Sequence, residues 1–379
     1  MPGDNRPYRT YRTDRILVLG GYGHFGGRIC RALAGNATLI VAGRNAAKAE
    51  TAARALGESH EGVALDYSAI DLAARLRALR ADAVIHTCGP FQGQTYHVAR
   101  ACVQAGAHYI DLADGRAFVA GIIELDAEAR DRGVLITSGA STLPALSSAV
   151  IDEHIGHFSR LDAVDTSIAP GQQTPRGVAT LEAVLSYCGK PFDAWEHGRW
   201  QTVYGWQDVR RFRYPDVGRR WLARCDVPDL QLFPQRYAGV QRVRFDAGLE
   251  LAFAQAAFWL LAGLVRAGLI DNASRTARLM QRWGRCFDWM GGDTGGMHVG
   301  LAGADREGRP ARIDWHLLAR RGHGPEIPCL PAIVIARKLA DRTLAARGAM
   351  PCMGLMTLAD FGEAVTRARF DISWRTVFS

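Results

Sequence analysis

The first residues capable of chemistry form a glycine-rich turn near the start of the chain. The segment Gly20-Gly21-Tyr22-Gly23-His24-Phe25-Gly26 contains the spacing Gly21-x-Gly23-x-x-Gly26, between a strand-like apolar run and a helical pattern. The first glycine of this spacing permits a tight turn, the second lets the backbone approach a diphosphate, and the third allows a helix to pack closely on a strand. The first amides of the helix then bind phosphate. The segment therefore predicts a dinucleotide-binding site.

The residues that follow the second predicted strand favour NADP(H) over NAD(H). That strand ends at Ala42-Gly43-Arg44-Asn45, where NAD-binding proteins usually carry an acid that binds the ribose 2′-hydroxyl. This chain offers Arg44 there and Lys48 one turn later. An arginine fork matches a 2′-phosphate, and a lysine adds a point charge. The alternative is a solvated arginine on an arginine-rich surface. NADP(H) is the preferred cofactor, and NAD(H) is the less favoured one.

Other strand ends should deliver residues to the same edge of the sheet, where ligands bind in open α/β folds. Asp66 follows the third strand, where it either bonds the adenine amino group or forms an ordinary turn. The fourth strand leads into Thr87-Cys88-Gly89-Pro90-Phe91, a rigid turn expected beside the nicotinamide ribose, with Phe91 walling the ring. Cys88 has no base next to it in sequence, so a small residue at a crowded contact is preferred to a nucleophile. The sixth strand delivers residues 138–141.

The candidate cofactor residues are therefore a set taken from the glycine turn and the strand ends. They are Gly20, Gly21, Gly23, His24, Phe25, Gly26, Arg44, Asn45, Lys48, Asp66, Thr87, Cys88, Gly89, Pro90, Phe91, Gly139, Ala140 and Ser141.

A nicotinamide enzyme also needs a proton donor, because the cofactor carries the hydride and the protein orients the partners and supplies the proton. The candidate catalytic residues are Asp114, after the fifth strand, and His298 and His323 in the second half of the chain. Histidine titrates near neutral pH, which suits proton transfer. Glu326, in the same Gly/Pro loop as His323, is a further candidate acid. His316 is also a candidate by residue type, but it adjoins a tryptophan in a strand pattern and is expected to be structural. No cysteine or histidine spacing indicates a metal site.

The predicted helices and strands follow two different patterns along the chain. Short apolar runs alternate with helical patterns through the first 157 residues, from a strand at Ile16–Leu19 to a helix that reaches about Ile155. This alternation predicts an α/β fold, a Rossmann doubly wound parallel sheet. From Leu161 onward, strand-like segments surround one long helical region at about Leu249–Trp289. This second pattern, strands around a long helical region, predicts an α+β domain.

Composition narrows the class of protein. The 379 residues suggest two domains, and 48% hydrophobic with 22% charged residues is ordinary for a globular protein. The net charge of +8 favours anionic ligands in general, but its acids are interspersed with its bases. Arginines and aromatics interleave at 199–224; this stretch could contact nucleic acid or an anionic substrate, but a solvated face or a subunit contact is preferred, and nucleic acid is not expected.

The sequence gives no reason to expect a membrane protein. The most apolar stretch, about Leu249–Ile270, contains Glu250, Gln255 and Arg266, and its uninterrupted part is shorter than the roughly 20 residues that span a bilayer. We expect a buried or interface helix there, and no contact with a membrane surface. The eight scattered cysteines and the absence of a signal peptide at the start of the chain favour a reducing cytoplasm.

Four segments together resemble the saccharopine dehydrogenase (saccharopine reductase-like) family. They are the glycine turn at 20–26, Ala42-Gly43-Arg44-Asn45, Cys88-Gly89-Pro90-Phe91 and Tyr109-Ile110-Asp111-Leu112. The resemblance covers about residues 14–157 and is weaker at 295–299 and 322–328. It implies an NADP-binding Rossmann domain over 1–157, an inserted substrate and dimerisation domain over 158–324, and a helix at about 325–350 that packs back on the first domain, followed by a tail at 351–379. A homodimer is expected.

The same resemblance implies hydride transfer between nicotinamide and an imine or, in one branch, a carbon–carbon double bond conjugated to a carbonyl. No residue set that would bind saccharopine can be matched, so the named reaction is not transferred. We expect an NADP(H)-dependent oxidoreductase whose small-molecule substrate, an imine of amino-acid type, a carbonyl or an enoyl compound, lies between the domains; the positive net charge leaves an anionic substrate open. The alternative is a non-catalytic NADP(H)-binding sensor or assembly protein that kept the cofactor site.

Overall fold

The computed structural model describes residues 15–175, 177–271 and 273–379, and these residues form two β-sheets with helices packed around them. The strands of this part of the chain are β1 (Arg15–Leu19), β2 (Thr38–Gly43), β3 (Glu61–Ala64), β4 (Ala83–His86), β5 (His108–Asp111), β6 (Leu135–Ser138), β7 (Phe158–Ala169), β8 (Pro191–Glu196), β9 (Arg199–Tyr204), β10 (Arg210–Tyr214), β11 (Gly218–Arg224), β12 (Arg242–Ala247), β13 (Gly295–Asp305), β14 (Pro310–Ala319), β15 (Gly348–Pro351) and β16 (Ile372–Phe378).

The α-helices lie between these strands and flank both sheets. They are α1 (Gly26–Leu33), α2 (Ala46–Arg54), α3 (Leu72–Ala78), α4 (His97–Ala105), α5 (Arg116–Gly121), α6 (Asp126–Asp131), α7 (Ser147–His154), α8 (Val178–Ser186), α9 (Asp229–Arg236), α10 (Ala252–Arg266), α11 (Ala277–Arg285), α12 (Leu330–Ala340) and α13 (Leu358–Ala368).

The first sheet confirms the predicted Rossmann architecture. Its strands run parallel in the order β15-β6-β5-β4-β1-β2-β3. The central strands β1, β4, β5 and β6 are buried along almost their whole length, as their continuous apolar sequences require. The strand order reverses between β1 and β4, so the crevice that binds ligands in such sheets lies at the carboxyl ends of these two strands.

The chain returns to this sheet near its end. Helix α12 packs against α1, where the Arg337 guanidinium donates to the Ala32 carbonyl at 2.8 Å. Helix α12 lies within the segment 325–350 and ends at Ala340. The sequence did not indicate β15, which extends the sheet beside β6 as a seventh parallel strand. Its four residues, Gly-Ala-Met-Pro, carry no strand pattern.

The second sheet confirms a mixed α+β unit after the Rossmann strands. It runs β10-β11-β12-β7-β13-β14-β16, and β8 joins it through β12 and pairs with β9. Strands β12 and β7 are parallel, and the other neighbours are antiparallel. The expectation of a tail at 351–379 is wrong, because these residues form α13 and β16, and β16 pairs with β14 along its whole length. The domain boundaries at 157 and 324 stay a prediction.

Two stretches that the sequence left open are resolved by their neighbours. The stretch 199–224 forms β9, β10 and β11, and three of its arginines pair with carboxylates: Arg210 with Asp246, Arg220 with Glu250, and Arg224 with Glu196. These ion pairs favour a structural face. The region 249–289 is interrupted and forms the separate helices α10 and α11. No helix within the described residues has both the length and the apolar character to cross a bilayer.

A buried carboxyl group joins the two halves of the fold. Asp229 is the first residue of α9, and its Oδ2 accepts a hydrogen bond of 2.7 Å from the Ser147 hydroxyl on α7. Its other oxygen has no partner among the described residues. Burial raises the pKa of Asp229 to about 7. The fold therefore favours the neutral acid.

We predict that Asp229→Asn weakens the pH dependence of stability. A raised pKa contributes stability that is complete below the unfolded value of about 4 and is lost as pH rises through about 7. Urea unfolding should show that the variant loses on the order of 2 kcal/mol less than the native protein between pH 5 and pH 8. The same change at the exposed turn residue Asp216 should leave the pH dependence unchanged. Equal losses in the native protein and Asp229→Asn would refute this role.

Candidate functional site

The glycine turn is built by close contact of backbone on backbone. Gly20 has φ +77°, so the tight left-handed turn falls there and not on Gly21, the first glycine of the motif. Helix α1 begins at Gly26, and a Cβ on that residue would collide with the Gly20 carbonyl oxygen. The third glycine thus has the packing role that the spacing predicts.

This turn leaves backbone donors available. The Gly23 amide closes the turn on the Gly20 carbonyl at 2.7 Å. The amides of Tyr22, His24 and Phe25 have no acceptor among the described residues. They stand before the first turn of α1, whose dipole also favours a negative charge. The residues present therefore fit a diphosphate.

The end of β2 carries the groups expected for the adenosine half of a dinucleotide. The Tyr22 ring lies against Gly43, and its hydroxyl accepts a 3.1 Å hydrogen bond from the Asn45 amide. The Asn45 side chain caps α2 by accepting from the Lys48 amide at 3.0 Å. The Arg44 and Lys48 side chains are exposed and pair with no carboxylate in the described part of the chain. Two unpaired cations beside the turn fit a 2′-phosphate.

Asp66 lies close to this cationic pair. Its Oδ1 accepts from the amide and the hydroxyl of Ser68, and these two bonds, with help from nearby Arg44, lower its pKa. The Ser68 bonds are those of the turn residue that the sequence left as one alternative. The charge on Arg44 still places Asp66 at the adenosine end of the site.

The turn after β4 is held by side-chain hydrogen bonds. The Thr87 hydroxyl donates to the Leu19 carbonyl at 2.7 Å, and the Gln94 amide donates to the Cys88 and Pro90 carbonyls. Burial raises the pKa of Cys88 to about 11, so its thiol stays protonated and unreactive. This agrees with its interpretation as a small residue at a crowded contact.

Phe91 does not have the position that the sequence suggested. It is only 4% exposed, and its ring packs 5.1 Å from His86 and 5.4 Å from Phe118. The aromatic side chain is therefore part of the core beneath the turn and does not wall a ligand site.

Asp111 fixes the loop after β6. Its Oδ1 accepts from the Gly139 amide at 2.8 Å, and from the Ser138 hydroxyl and the Ala113 amide at 2.9 Å. Burial raises its pKa to about 6, against the effect of these bonds. The loop 139–141 is thereby held at the carboxyl edge of the sheet, with Gly139 and Ala140 beneath and Ser141 beside the cavity described next. The sequence indicated this loop but not its anchor.

A cavity of about 950 Å³ opens beside the glycine turn and extends between the two sheets. The wall that the Rossmann half contributes consists of His24, Phe25, Leu112, Asp114, Ser141, Thr142 and Leu143. The opposite wall comes from β7, α8, β12, α10, α11 and β13. The last residues of the glycine turn and the candidate acid Asp114 therefore line the same cavity, on the wall that the Rossmann half contributes.

Two carboxyl groups at this end have different surroundings. Asp114 accepts a 3.1 Å hydrogen bond from the Gln92 side-chain amide, and burial raises its pKa. Asp226, which the sequence did not indicate, forms an ion pair with Arg116, although burial raises its pKa too. Asp114 lacks a cationic partner among the described residues, so it is the carboxyl better suited to hold a proton.

The two candidate histidines lie outside the cavity. His298 extends from β13 to the face opposite Met297, and its Nε2 lies 2.6 Å from the Asp314 carboxylate, with its ring stacked on His316. His323 Nδ1 accepts a 2.9 Å bond from the Asp371 amide. Successive side chains of a strand point to opposite faces, which explains the position of His298. Neither histidine therefore belongs to the cavity lining that contains Asp114.

Arg28 and Glu326 connect the glycine turn to the returning chain. Their side chains pair at 2.9 Å and are both largely buried. Arg28 also donates to the His24 carbonyl at 2.6 Å. This clamp holds the end of the turn against residues 324–329, some 298 positions later in the chain. Glu326, one of the candidate acids, thus pairs with Arg28 and helps to position the glycine turn.

Among the described residues, no group of His, Cys, Asp and Glu side chains is arranged to hold a metal ion.

The chain is similar to known proteins in its N-terminal sequence and in its fold. Residues 16–153 match the family described as Saccharopine dehydrogenase NADP binding domain. The structure of apo saccharopine dehydrogenase (L-Glu forming) from Saccharomyces cerevisiae is similar over 96% of this chain and 100% of that chain, with a TM-score of 0.68 and 12% sequence identity. Homospermidine synthase from Legionella pneumophila in complex with NAD is similar over 96% and 91%, with a TM-score of 0.56 and 10% identity. No curated protein matches the sequence.

These matches confirm the resemblance that the sequence suggested and NADP as the expected cofactor of the N-terminal domain. The likeness to the solved structures covers almost the whole chain and shows a shared fold.

We predict that Arg44→Ala weakens NADPH binding by about tenfold or more, because a charge-assisted bond of roughly 1.5–3 kcal/mol to the 2′-phosphate is lost. NADH, which lacks that phosphate, should bind as before. Calorimetric titration with both coenzymes measures the difference. Arg54→Ala removes an equal charge from the same helix region, where Arg54 pairs with Glu50, and should change neither affinity. Equal losses for NADPH and NADH in Arg44→Ala would contradict the assignment.

Proposed function

We propose that the protein, whose N-terminal domain belongs to the saccharopine dehydrogenase NADP-binding family, is an NADP(H)-dependent oxidoreductase. The observation that carries the proposal is the meeting of the glycine turn with a large cavity at His24 and Phe25, beside a carboxyl group with a raised pKa. A dinucleotide on the turn would place its reactive end toward that cavity. NAD(H) stays a less favoured cofactor, because Arg44 and Lys48 replace the usual acid.

The residues of this chain would divide the work as follows. The amides of Tyr22, His24 and Phe25 bind the diphosphate, and Arg44 with Lys48 binds the 2′-phosphate. When bound, the nicotinamide supplies or accepts the hydride. The substrate is an imine, carbonyl or enoyl compound in the cavity.

Asp114 is the proposed proton donor for the reductive direction. In the reductive direction, the Asp114 carboxylic acid would transfer its proton to the substrate heteroatom or to the carbon next to the reduced one; with the hydride that the cofactor would supply, two electrons and two hydrogens are added overall. The Gln92 amide orients the carboxyl group by donating to its Oδ1. A raised pKa keeps a larger fraction of Asp114 protonated near neutral pH than an exposed aspartate would have.

A non-catalytic NADP(H) sensor would need the cofactor site but no substrate cavity. The cavity beside Asp114 therefore supports an enzyme over a sensor. The native protein should consume NADPH absorbance with at least one member of a panel of aldehydes, enoyl thioesters and amine/keto-acid pairs. Tight NADPH binding with no turnover on the whole panel would favour the sensor.

We predict that Asp114→Asn lowers the kcat for reduction by about 100-fold, because the amide cannot transfer a proton. NADPH affinity should be unchanged. The native rate should fall as pH rises through the raised pKa of Asp114, since only the protonated acid donates, and the variant should lose this pH dependence. Asp226→Asn removes a carboxylate that is already paired with Arg116 and should keep the pH profile. A pH profile that survives in Asp114→Asn would exclude Asp114 as the donor.

A further inference from the structure

The cavity is apolar over most of its surface. Away from the Rossmann wall, its lining includes Leu181, Val184, Phe245, Phe258, Met280 and Met297. These side chains come from α8, β12, α10, α11 and β13, so each of these elements contributes apolar surface, and the polar lining residues of this half include Gln172, Gln281 and Asp288. An apolar surface of this extent gains free energy when a ligand displaces water from it.

The cavity offers almost no positive charge. Among its described lining residues, Arg285 is the only lysine or arginine, and it is exposed at the edge. Asp226 and Asp114 are acids, and Asp226 already holds Arg116. A carboxylate buried without a cation has a high desolvation cost. The interior is therefore unsuited to an amino-acid substrate with several carboxylates, which is a different outcome from the anionic substrate expected from composition.

The opening of the cavity carries aromatic side chains beside polar and small ones. Lining residues that are also exposed mark this opening, and they include Gln173, Thr180, Ala257 and Arg285, together with Phe253 and Trp283, which are 47% and 62% exposed. The Phe253 ring packs edge-on against Phe287, with the centroids 5.0 Å apart, which joins α10 to the end of α11. An apolar group can thus meet apolar surface from the opening to the interior.

We propose, as an extension of the proposed function, that the cavity binds a substrate with a long apolar chain, such as an alkyl or acyl carbonyl or enoyl compound. The reactive carbon lies at the polar end, near Asp114 and Ser141, and the chain extends along α8 and α10 toward the opening. The volume of about 950 Å³ accommodates a chain in addition to a nicotinamide ring. The carboxyl group of Asp114 and the hydroxyl group of Ser141 would bind the polar head of the molecule, and the apolar side chains of α8, β12 and α10 would contact its chain.

Chain length should then set affinity. Burial of each additional methylene tightens binding by up to about fourfold until the cavity is filled. The first experiment measures binding without chemistry. The neutral dye Nile red is titrated into the native protein in the presence of NADPH, and saturated primary alcohols of increasing length displace it.

Two adjacent alanines of α10 provide a matched pair of variants. Ala257 lines the cavity, whereas Ala256 is exposed and does not. Ala257→Trp should weaken Nile red binding at least tenfold by filling the opening, and Ala256→Trp should bind as the native protein does. NADPH affinity, measured by calorimetry, should be equal in all three proteins, which also confirms that they are folded.

The expected result is one dye per chain, displaced more strongly by longer alcohols and not by glutarate, a short dicarboxylate. Absence of dye binding, equal dye binding in both variants, or displacement independent of chain length would overturn the proposal. NADPH binding and turnover are measured separately, so a failure of the oxidoreductase assignment is distinguishable from a failure of the apolar-chain assignment.

Discussion

The contact between the backbones of Gly20 and Gly26 is the constraint on which the site depends. Because Gly26 has no Cβ to collide with the Gly20 carbonyl oxygen, helix α1 can begin directly against the end of β1. The amides of Tyr22, His24 and Phe25 then have no acceptor in the described part of the chain and are available to phosphate oxygens. A side chain at Gly26 would push the helix from the turn and remove this arrangement, whereas a side chain at Gly20 would meet Thr87 and Cys88 at the end of β4.

Other side chains of the site hold the second half of the molecule against this turn. Arg28 holds the His24 carbonyl and pairs with Glu326, so the returning chain is fixed against the turn. Asp111 holds the loop after β6 by three hydrogen bonds, which places Ser141 at the same end of the cavity. The glycine turn and the cavity thus lie side by side because the largely buried pair Arg28–Glu326 and the buried Asp111 connect segments distant in sequence.

Features that depend on periodicity and local motifs could be predicted from the sequence. The six Rossmann strands, the glycine turn and the cationic end of β2 are local patterns, and each has the expected place. Strand β15 and the pair Arg28–Glu326 depend on long-range contacts that no local pattern records. Only its residue type indicates His298 as a proton donor, and the alternation of side chains along β13 places it on the face away from the cavity. Asp226 could not be distinguished from any other loop acid until its pairing with Arg116 was seen.

Calorimetric titration of NADPH into the native chain, Gly23→Ala and Gly27→Ala tests the central claim most directly. A methyl group on Gly23 would crowd the Gly20 carbonyl at 2.9 Å in the turn itself, whereas one on Gly27 would make only ordinary contacts beyond 3.5 Å. We expect Gly27→Ala to bind NADPH as the native protein does and Gly23→Ala to bind it at least tenfold more weakly. Absence of NADPH binding to the native chain, or equal affinity in all three folded proteins, would contradict it.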